Sequence, residues 1–124
     1  MKRDAFTMIE VIFVMVIIGI LAAVGIPKIA GNRSDARASV ISTRLSNCIV
    51  LAGKSYLQDS SFDLNETNCK DITILDPCYV LTANDENGTL FVKDSNDTSL
   101  DCQTARIITT RNALSSVVGK EHKF

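Results

Sequence analysis

The sequence predicts an α+β fold in which a long N-terminal helix packs on a small antiparallel sheet. An apolar run over residues 6–26 continues into an amphipathic pattern that reaches about residue 58. Short β-prone runs separated by turn residues follow between residues 71 and 110. Because the apolar positions change from a helical period to strand-like runs, one helix followed by one sheet is the simplest arrangement.

The first apolar run is long enough to cross a membrane. Residues 6–26 comprise 21 residues and, at about 1.5 Å of rise per residue, extend about 31 Å as a helix. A five-residue leader, residues 1–5, precedes the run and contains Lys2 and Arg3. We therefore predict a membrane-spanning half-helix over residues 6–27.

Glu10 is an acidic residue inside this apolar run. A charged side chain costs roughly 2.5–3.5 kcal/mol at mid-membrane, so a helix used only as an anchor has no need of one. One interpretation is that Glu10 lies near the lipid headgroups and extends its carboxylate toward water. The other is that Glu10 is a functional carboxylate that meets a cation within the membrane.

Apolar residues at three- and four-residue intervals predict that the helix continues beyond the membrane over residues 28–58. This stripe comprises Ala38, Ile41, Leu45, Cys48, Ile49, Ala52 and Tyr56. Such spacing produces one apolar face, which we expect to pack against the sheet. Gly19 costs about 1 kcal/mol relative to alanine in a helix, and Pro27 removes one helical hydrogen bond. From these costs alone, a simple kink in a membrane helix is expected.

Four β-prone runs predict a sheet of three or four antiparallel strands. They cover residues 71–75, 78–82, 89–93 and 105–110. The turn sequences Asp76-Pro77 and Asn87-Gly88 separate the first three runs. The predicted soluble domain, residues 28–124, therefore consists of the amphipathic helix, a loop over residues 59–70, the sheet over residues 71–110 and a tail over residues 111–124.

Four cysteines lie beyond the apolar run and predict two disulfides in an oxidising compartment. Cys48, Cys69, Cys78 and Cys102 allow three pairings. We favour Cys48 with Cys69 and Cys78 with Cys102, because a returning loop and neighbouring strands would bring these pairs close. A zinc site is disfavoured, because the chain has no Cys-x-x-Cys pair and His122 is its single histidine.

Charge is distributed unevenly along the chain. Residues 59–101 contain ten acidic and two basic residues, although the net charge of the whole chain is −1. We predict that this acidic segment is a solvated loop region that does not bind nucleic acid directly. His122 lies near the C-terminus without a nucleophile constellation, and no phosphate-binding glycine loop occurs. The sequence therefore predicts that the protein is not an enzyme.

The residues around Glu10 resemble a known signal. A short basic leader, the small residue Ala5, and the sequence Phe6-Thr7-Met8-Ile9-Glu10 before a long apolar run are similar to the class III signal of type IV pilins and type II secretion pseudopilins. The resemblance implies that a prepilin peptidase cuts between Ala5 and Phe6 and methylates the new amino group of Phe6. Glycine usually precedes the cut in this family, and Ala5 departs from that pattern.

The resemblance also implies a role for the whole N-terminal helix. In this family the glutamate neutralises the amino terminus of a neighbouring subunit, which assigns assembly to Phe6 and Glu10. Gly19 and Pro27 would lend flexibility when subunits leave the membrane for the filament. The family further implies a pilin-like lollipop shape, a single pass through the bacterial inner membrane, and a C-terminal domain in the periplasm before the subunit enters a filament.

Three Asn-x-Thr sequences predict N-linked glycosylation. Asn65, Asn87 and Asn96 each begin such a sequence, and each has an aspartate two residues earlier. This pattern resembles the extended acceptor sequence of bacterial N-linked glycosylation. The sequon at Asn32 lacks the aspartate. The alternative is that aspartate, asparagine and threonine cluster in turns for backbone reasons.

The same acidic stretch offers oxygen ligands for a calcium ion, which is a possible cofactor of this chain. The candidate ligands are Asp85, Asn87, Asp94, Asn96, Asp97 and Asp101. Calcium prefers such hard oxygen ligands, but their spacing matches no complete EF-hand loop. Calcium binding is therefore the less favoured use of these side chains.

Together these observations predict a structural subunit of a type IV pilus-like filament. A pseudopilin of a type II secretion or DNA-uptake (competence) machine is favoured, because the soluble domain is small. The alternatives are a major type IV pilin for adhesion or motility and a solitary membrane-anchored periplasmic binding domain. The expected partners are further copies in a homo-oligomeric helical filament, other pilin-like subunits, prepilin peptidase and the inner membrane.

Overall fold

The computed structural model describes residues 5–124. Residues 1–4 of the predicted leader, which include Lys2 and Arg3, and the side chain of Ala30 lie outside this description. The elements in chain order are α1 (Met8–Asp59), α2 (Thr67–Lys70), a π-helical turn (Asp71–Leu75), β1 (Tyr79–Asn84), β2 (Thr89–Asp94), α3 (Leu100–Arg111) and β3 (Lys120–Lys123). The chain divides into two compact units. The first unit ends at Arg33, and the second unit is Ser34–Phe124.

Helix α1 is continuous over 52 residues. The prediction of one long helix over residues 6–58 is confirmed. The observed helix begins two residues later and ends one residue later than predicted. Pro27 lies inside α1 and cannot donate the hydrogen bond that an amide at this position would make to Ala23. Among the described residues, α1 is the one helix with the length and composition to cross a membrane.

The second half of α1 supplies much of the core of the second unit. Six residues of the predicted stripe are buried: Ala38, Ile41, Leu45, Cys48, Ile49 and Ala52. Tyr56 is half-buried and stacks on Phe62, with 4.7 Å between the ring centroids. The remaining core includes buried side chains from the π-helical turn, the sheet and α3: Ile72, Tyr79, Leu90, Val92 and Ala105. Removing this apolar surface from water is the main source of stability for the second unit.

Three antiparallel strands form the sheet in the order β1-β2-β3. Strands β1 and β2 form a hairpin in which Tyr79 pairs with Asp94 and Asn84 pairs with Thr89. Gly88 in the hairpin turn has a φ of +62°, a conformation that favours glycine. The predicted α+β fold class, with a long helix and a small antiparallel sheet, is confirmed.

Two of the predicted strands are wrong, because both segments are helical. Residues 71–75 form the π-helical turn, and residues 105–110 lie within α3. Their β-branched residues have strand propensity, but packing overrides it. In α3 the Oγ of Ser99 accepts a hydrogen bond from the amide of Cys102 at 3.4 Å, which caps the helix, and the buried residues recur at helical spacing.

The predicted loop and tail also contain regular structure. Residues 67–70 of the predicted loop form α2, and residues 120–123 of the predicted tail form β3. Strand β3 is the polar sequence Lys-Glu-His-Lys, which has no apolar alternation to predict a strand. Pairing with β2 decides its conformation. The sheet therefore consists of residues 79–84, 89–94 and 120–123, not of residues 71–110.

Two disulfides brace the second unit. Cys48–Cys69 joins α1 to α2, and Cys78–Cys102 joins the residue before β1 to α3. This is the pairing favoured from the sequence. The bonded cysteines are 21 and 24 residues apart. In the chain-entropy description, each bond lowers the entropy of the unfolded chain and so stabilises the folded state by about 3 kcal/mol.

Candidate assembly site

Phe6 lies two residues before α1 begins, and Glu10 lies in the first turn of α1. Glu10 is in the first turn, where free backbone amides at a helix N-terminus favour a negative charge. Its own amide donates a hydrogen bond to the carbonyl of Thr7 at 3.1 Å. Ala5 and Phe6 precede the helix and are exposed. The predicted cleavage bond therefore lies in accessible, non-helical backbone.

The side chain of Glu10 contributes to a shallow, mainly apolar depression on one face of α1. The depression is lined by Phe6, Glu10, Val11, Val14, Met15 and Ile18. Residues three and four positions apart on a helix share a face, which explains this grouping. Among residues 5–124, no ion pair involves Glu10. The depression thus presents one carboxylate among hydrocarbon groups, an arrangement suited to a single cation supplied by another molecule.

The apolar surface around Glu10 is extensive. None of the membrane-length window of α1 is buried, and Met8 and Ile9 are 84% and 77% exposed. Single exposed apolar side chains are ordinary, but a helix that is apolar on all sides is normally covered by lipid or by protein. The first half of α1 therefore requires a membrane or other subunits around it.

Gly19 and Pro27, the predicted points of flexibility, lie within the continuous part of α1. Apart from its two neighbours and the nearby backbone of α1, no atom lies within 4 Å of the position that a Cβ atom at Gly19 would occupy. Close packing therefore does not require glycine there in the single chain. The role of both residues in helix flexibility stays a prediction.

The six candidate calcium ligands lie at two places in the second unit. Asp85 and Asn87 are in the turn between β1 and β2. The other four lie from the opposite end of β2 to the first turn of α3: Asp94 ends β2, Asn96 and Asp97 follow it, and Asp101 is in α3. Asp85 Oδ1 accepts a hydrogen bond from the amide of Phe62 at 2.9 Å. Hydrogen bonds from the side chain and backbone of Ser99 lower the pKa of Asp97. Within the described part of the chain, no group of three His, Cys, Asp or Glu side chains is arranged to hold a metal ion. Calcium binding stays a prediction.

The three asparagines predicted to be glycosylated are all exposed. Asn65 lies in the loop after α1, Asn87 in the β1–β2 turn, and Asn96 after β2. Asp94, two residues before Asn96, is only 8% exposed, whereas the corresponding aspartates before the other two asparagines are exposed. An enzyme that recognises this aspartate in the folded chain could therefore contact the aspartates that precede Asn65 and Asn87. Glycosylation itself stays a prediction.

Three aspartates of the acidic segment form ion pairs with arginines of α1. Arg37 lies 3.2 Å from Asp101 and 3.7 Å from Asp76. Arg44 lies 3.5 Å from Asp76 and 3.6 Å from Asp71. The interpretation of the whole acidic segment as a solvated loop is therefore wrong for these carboxylates. The arginines of α1 and the aspartates of residues 59–101 have opposite charges, and this difference could have predicted the ion pairs from the sequence.

The burial of Asp94 and of the Nε atom of Arg106 was not predicted from the sequence. Asp94 Oδ1 and Arg106 Nε are buried and have no hydrogen-bond partner in the part of the chain that the structure describes. On β2 the buried positions are Leu90, Val92 and Asp94. Because alternate residues of a strand share a face, this alternation could have placed Asp94 on the inner face.

The comparisons with known proteins bear on the first helix. Residues 1–26 match a protein family described as the prokaryotic N-terminal methylation motif. Comparisons with curated proteins and with solved structures found no match. The matched region contains the Ala5–Phe6 bond, Glu10 and the whole apolar run, residues 6–26. The resemblance of this region to a class III signal is therefore confirmed.

Proposed function

We propose that this type IV pilin-like or pseudopilin protein is a structural subunit of a filament, and specifically a pseudopilin of a type II secretion or DNA-uptake machine. The observation that carries the proposal is the methylation motif on an exposed apolar helix whose first turn holds Glu10. The second unit, residues 34–124, is small, which favours a pseudopilin over a major pilin.

Processing would create the charge that Glu10 meets. Hydrolysis of the Ala5–Phe6 peptide bond leaves a carboxylate on Ala5 and a new amino group on Phe6, and a methylated amine keeps its positive charge. Phe6 and Glu10 line the same depression of α1. When two such helices pack side by side, the amino group of one subunit is able to meet the carboxylate of the next.

The surrounding hydrocarbon makes this ion pair selective for one arrangement of subunits. Separating an ion pair in an apolar environment typically costs about 3–5 kcal/mol, because it leaves two uncompensated charges. The amino group and the carboxylate meet at one relative displacement of the two helices. The pair therefore contributes to assembly and also fixes the axial position of each subunit.

The two units suggest where the protein resides before assembly. The first half of α1 has the length and composition to anchor the chain in the bacterial inner membrane. The two disulfides of the second unit are typical of an oxidising compartment such as the periplasm. Prepilin peptidase and other pilin-like subunits are the partners that this location requires.

The substitution Glu10→Gln tests the proposal in the native host. Glutamine keeps the size of the side chain and removes its charge. We expect a normal amount of protein in the membrane but about a hundredfold less filament, corresponding to a loss of about 3 kcal/mol at the subunit contact. Asp35→Asn is the matched control, because Asp35 is another exposed acid of α1 and the change is equally conservative.

Immunoblotting of sheared and periplasmic filament fractions measures the outcome. Normal assembly of the Glu10→Gln variant would reject the docking role of Glu10. Absence of the wild-type protein from the filament fractions would reject the filament role and favour a solitary membrane-anchored domain. Loss of protein secretion or of DNA uptake after deletion of the gene identifies the machine. Loss of adhesion or motility alone would instead indicate a pilin of a type IV pilus.

A further inference from the structure

The three predicted glycosylation sites differ in how far the fold exposes them. Each site consists of an aspartate, the acceptor asparagine two residues later, and a threonine two residues after the asparagine. An enzyme that recognises this pattern in the folded chain has to contact all three side chains. The exposure of these side chains therefore ranks the three sites.

The site at Asn96 is partly covered by the fold. Asp94, the aspartate of this site, is the last residue of β2 and is 8% exposed. The amide of Asp94 donates a hydrogen bond to the carbonyl of Ser116 at 3.0 Å, so the segment after α3 lies against this end of the strand. Asn96 and Thr98 are exposed. The site therefore offers an enzyme the asparagine and the threonine without the aspartate.

The site at Asn87 is held in the turn between β1 and β2. The amide of Asn87 donates a hydrogen bond to Asn84 Oδ1 at 3.2 Å. Thr89, the threonine of this site, is the first residue of β2 and is half-buried. It pairs with Asn84 on one side and with Lys123 on the other. The threonine is therefore fixed between two strands, and only part of its surface is accessible.

The site at Asn65 is exposed at all three positions. Asp63 and Asn65 lie between the end of α1 and the start of α2, in a segment without regular secondary structure. Thr67 is the first residue of α2. All three side chains are exposed. Among the three sites that carry the aspartate, this one alone presents the complete pattern to solvent.

Backbone hydrogen bonds hold the loop before Asn65 without engaging the acceptor group. The amide of Phe62 donates to Asp85 Oδ1 at 2.9 Å, and the amide of Asp63 donates to Ser55 Oγ at 2.8 Å. The amide of Asn65 donates to Asp63 Oδ1 at 2.8 Å, a bond that does not use the Oδ2 atom of this carboxylate. These contacts fix the backbone, whereas the side chains of Asp63 and Asn65 remain exposed.

We propose that Asn65 carries an N-linked oligosaccharide and that Asn87 and Asn96 stay unmodified in the folded protein. The donor belongs to the class of polyprenyl-diphosphate-linked oligosaccharides. The Nδ2 atom of Asn65 forms a bond to C1 of the first sugar, and the bond between C1 and the diphosphate oxygen breaks. The polyprenyl diphosphate leaves, and Nδ2 loses one proton to a base of the enzyme. No oxidant or reductant is needed.

Peptide mapping of the protein from its native host tests this assignment. After reduction of the disulfides, cleavage by trypsin after lysine and arginine places the three acceptors in different peptides, residues 55–70, 71–93 and 94–106. We expect the added sugar mass on peptide 55–70 and the bare mass for the other two. A bare peptide 55–70, or equal sugar occupancy on the three peptides, would overturn the proposal.

Two matched substitutions test the contribution of the aspartate. Asp63→Asn keeps an Oδ1 atom that accepts the amide hydrogen of Asn65, and it removes the negative charge. We expect the ratio of glycosylated to bare Asn65 to fall about tenfold, as for losing one hydrogen bond to a charged group. Asp85→Asn makes the same change before Asn87 and should leave this ratio unchanged. An unchanged ratio for Asp63→Asn, or an equal fall for both variants, would overturn the recognition of Asp63.

Removal of the acceptor separates this inference from the proposed function, on which it does not depend. Asn65→Gln should lose the whole added sugar mass, whereas Asn87→Gln should keep it. Sugar mass retained by Asn65→Gln would overturn the assignment. A bare wild-type chain that still assembles would overturn the glycan and leave the filament role intact. A wild-type chain glycosylated on Asn65 but absent from the filament fractions would support the glycan and overturn the filament role.

Discussion

Helix α1 has apolar residues along most of its length, but its two halves use them differently. In the first half the large apolar side chains are 41–84% exposed, with Ile17 and Met8 at the two extremes. In the second half Ala38, Leu45 and Ala52 have no exposed surface. The first half is apolar on all sides, whereas the second half has one apolar stripe. The first half therefore depends on its surroundings, and the second half is covered by its own chain.

The polar groups of the two units differ in the same way. In the second unit Arg37 and Arg44 find their ion-pair partners within the chain, and two disulfides link the elements. In the first unit Glu10 has no ion-pair partner among the described residues. The second unit is therefore stabilised by contacts within the chain, whereas Glu10, the residue proposed to act in assembly, lies in the first unit.

The largest expected effect comes from removing both disulfides. Replacing all four cysteines by alanine in the full chain should lower the free energy of unfolding of the second unit by about 6 kcal/mol, since each closed loop contributes about 3 kcal/mol. This is comparable to the whole stability of a small domain. Urea unfolding in detergent, followed by near-ultraviolet circular dichroism, measures the change.

The first unit supplies the control for the cysteine replacement. Membrane retention of the quadruple variant should equal that of the wild type, because no cysteine lies before Arg33. A variant that unfolds with an unchanged midpoint would show that packing alone stabilises the second unit.

A pair of matched valines probes the two halves of α1. Val16 and Val50 are 54% and 64% exposed in the single chain. Val16→Arg should disfavour membrane insertion by about 2.5–3.5 kcal/mol, because the charge would enter the hydrocarbon core. Val50→Arg should change stability by no more than about 0.5 kcal/mol, as is usual for an exposed position.

Alkaline extraction of membranes from cells expressing each variant measures this difference. Val16→Arg should move into the soluble or degraded fraction, and Val50→Arg should remain with the membrane. Equal retention of both variants would contradict the assignment of the first half as the membrane-spanning segment.

A smaller effect is expected from titrating Tyr79 in the core of the second unit. Its hydroxyl lies 3.0 Å from the Oγ1 of Thr109, and burial raises the pKa of Tyr79 to about 12. The unfolded tyrosine has a pKa of about 10, so it loses its proton first as the pH rises. The free energy of unfolding should therefore fall by about 1.4 kcal/mol per pH unit between pH 10 and pH 12.

Tyr79→Phe isolates this titration from other groups. At neutral pH the free energy of unfolding of the variant should be about 1 kcal/mol lower, because the hydrogen bond to Thr109 is lost. Above pH 10 its free energy of unfolding should fall less steeply than that of the wild type. Urea midpoints at several pH values measure both slopes. Identical slopes for the variant and the wild type would show that Tyr79 does not carry the pH dependence.

The accuracy of the sequence predictions followed the range of the interactions involved. Helix α1 was predicted to within two residues because its periodic pattern extends over tens of positions. Strands β1 and β2 were found because a turn sequence separates two β-prone runs. Residues 105–110 were assigned wrongly, because their β-branched residues favour a strand and packing of α3 overrides that propensity. The candidate residues Phe6 and Glu10 were identified from a local motif, whereas Asp94 and Arg106 were not.

The sequence by itself determined the apolar helix, the position of Glu10 within it, the methylation motif, and a favoured cysteine pairing that the structure contains. These features depend on neighbouring residues or on a regular period. Only the tertiary structure decided that the polar residues of β3 form a strand, that α3 is a helix, and that Asp94 and the Nε atom of Arg106 are buried. Such outcomes depend on contacts between residues far apart in the chain, whose packing overrides local propensity.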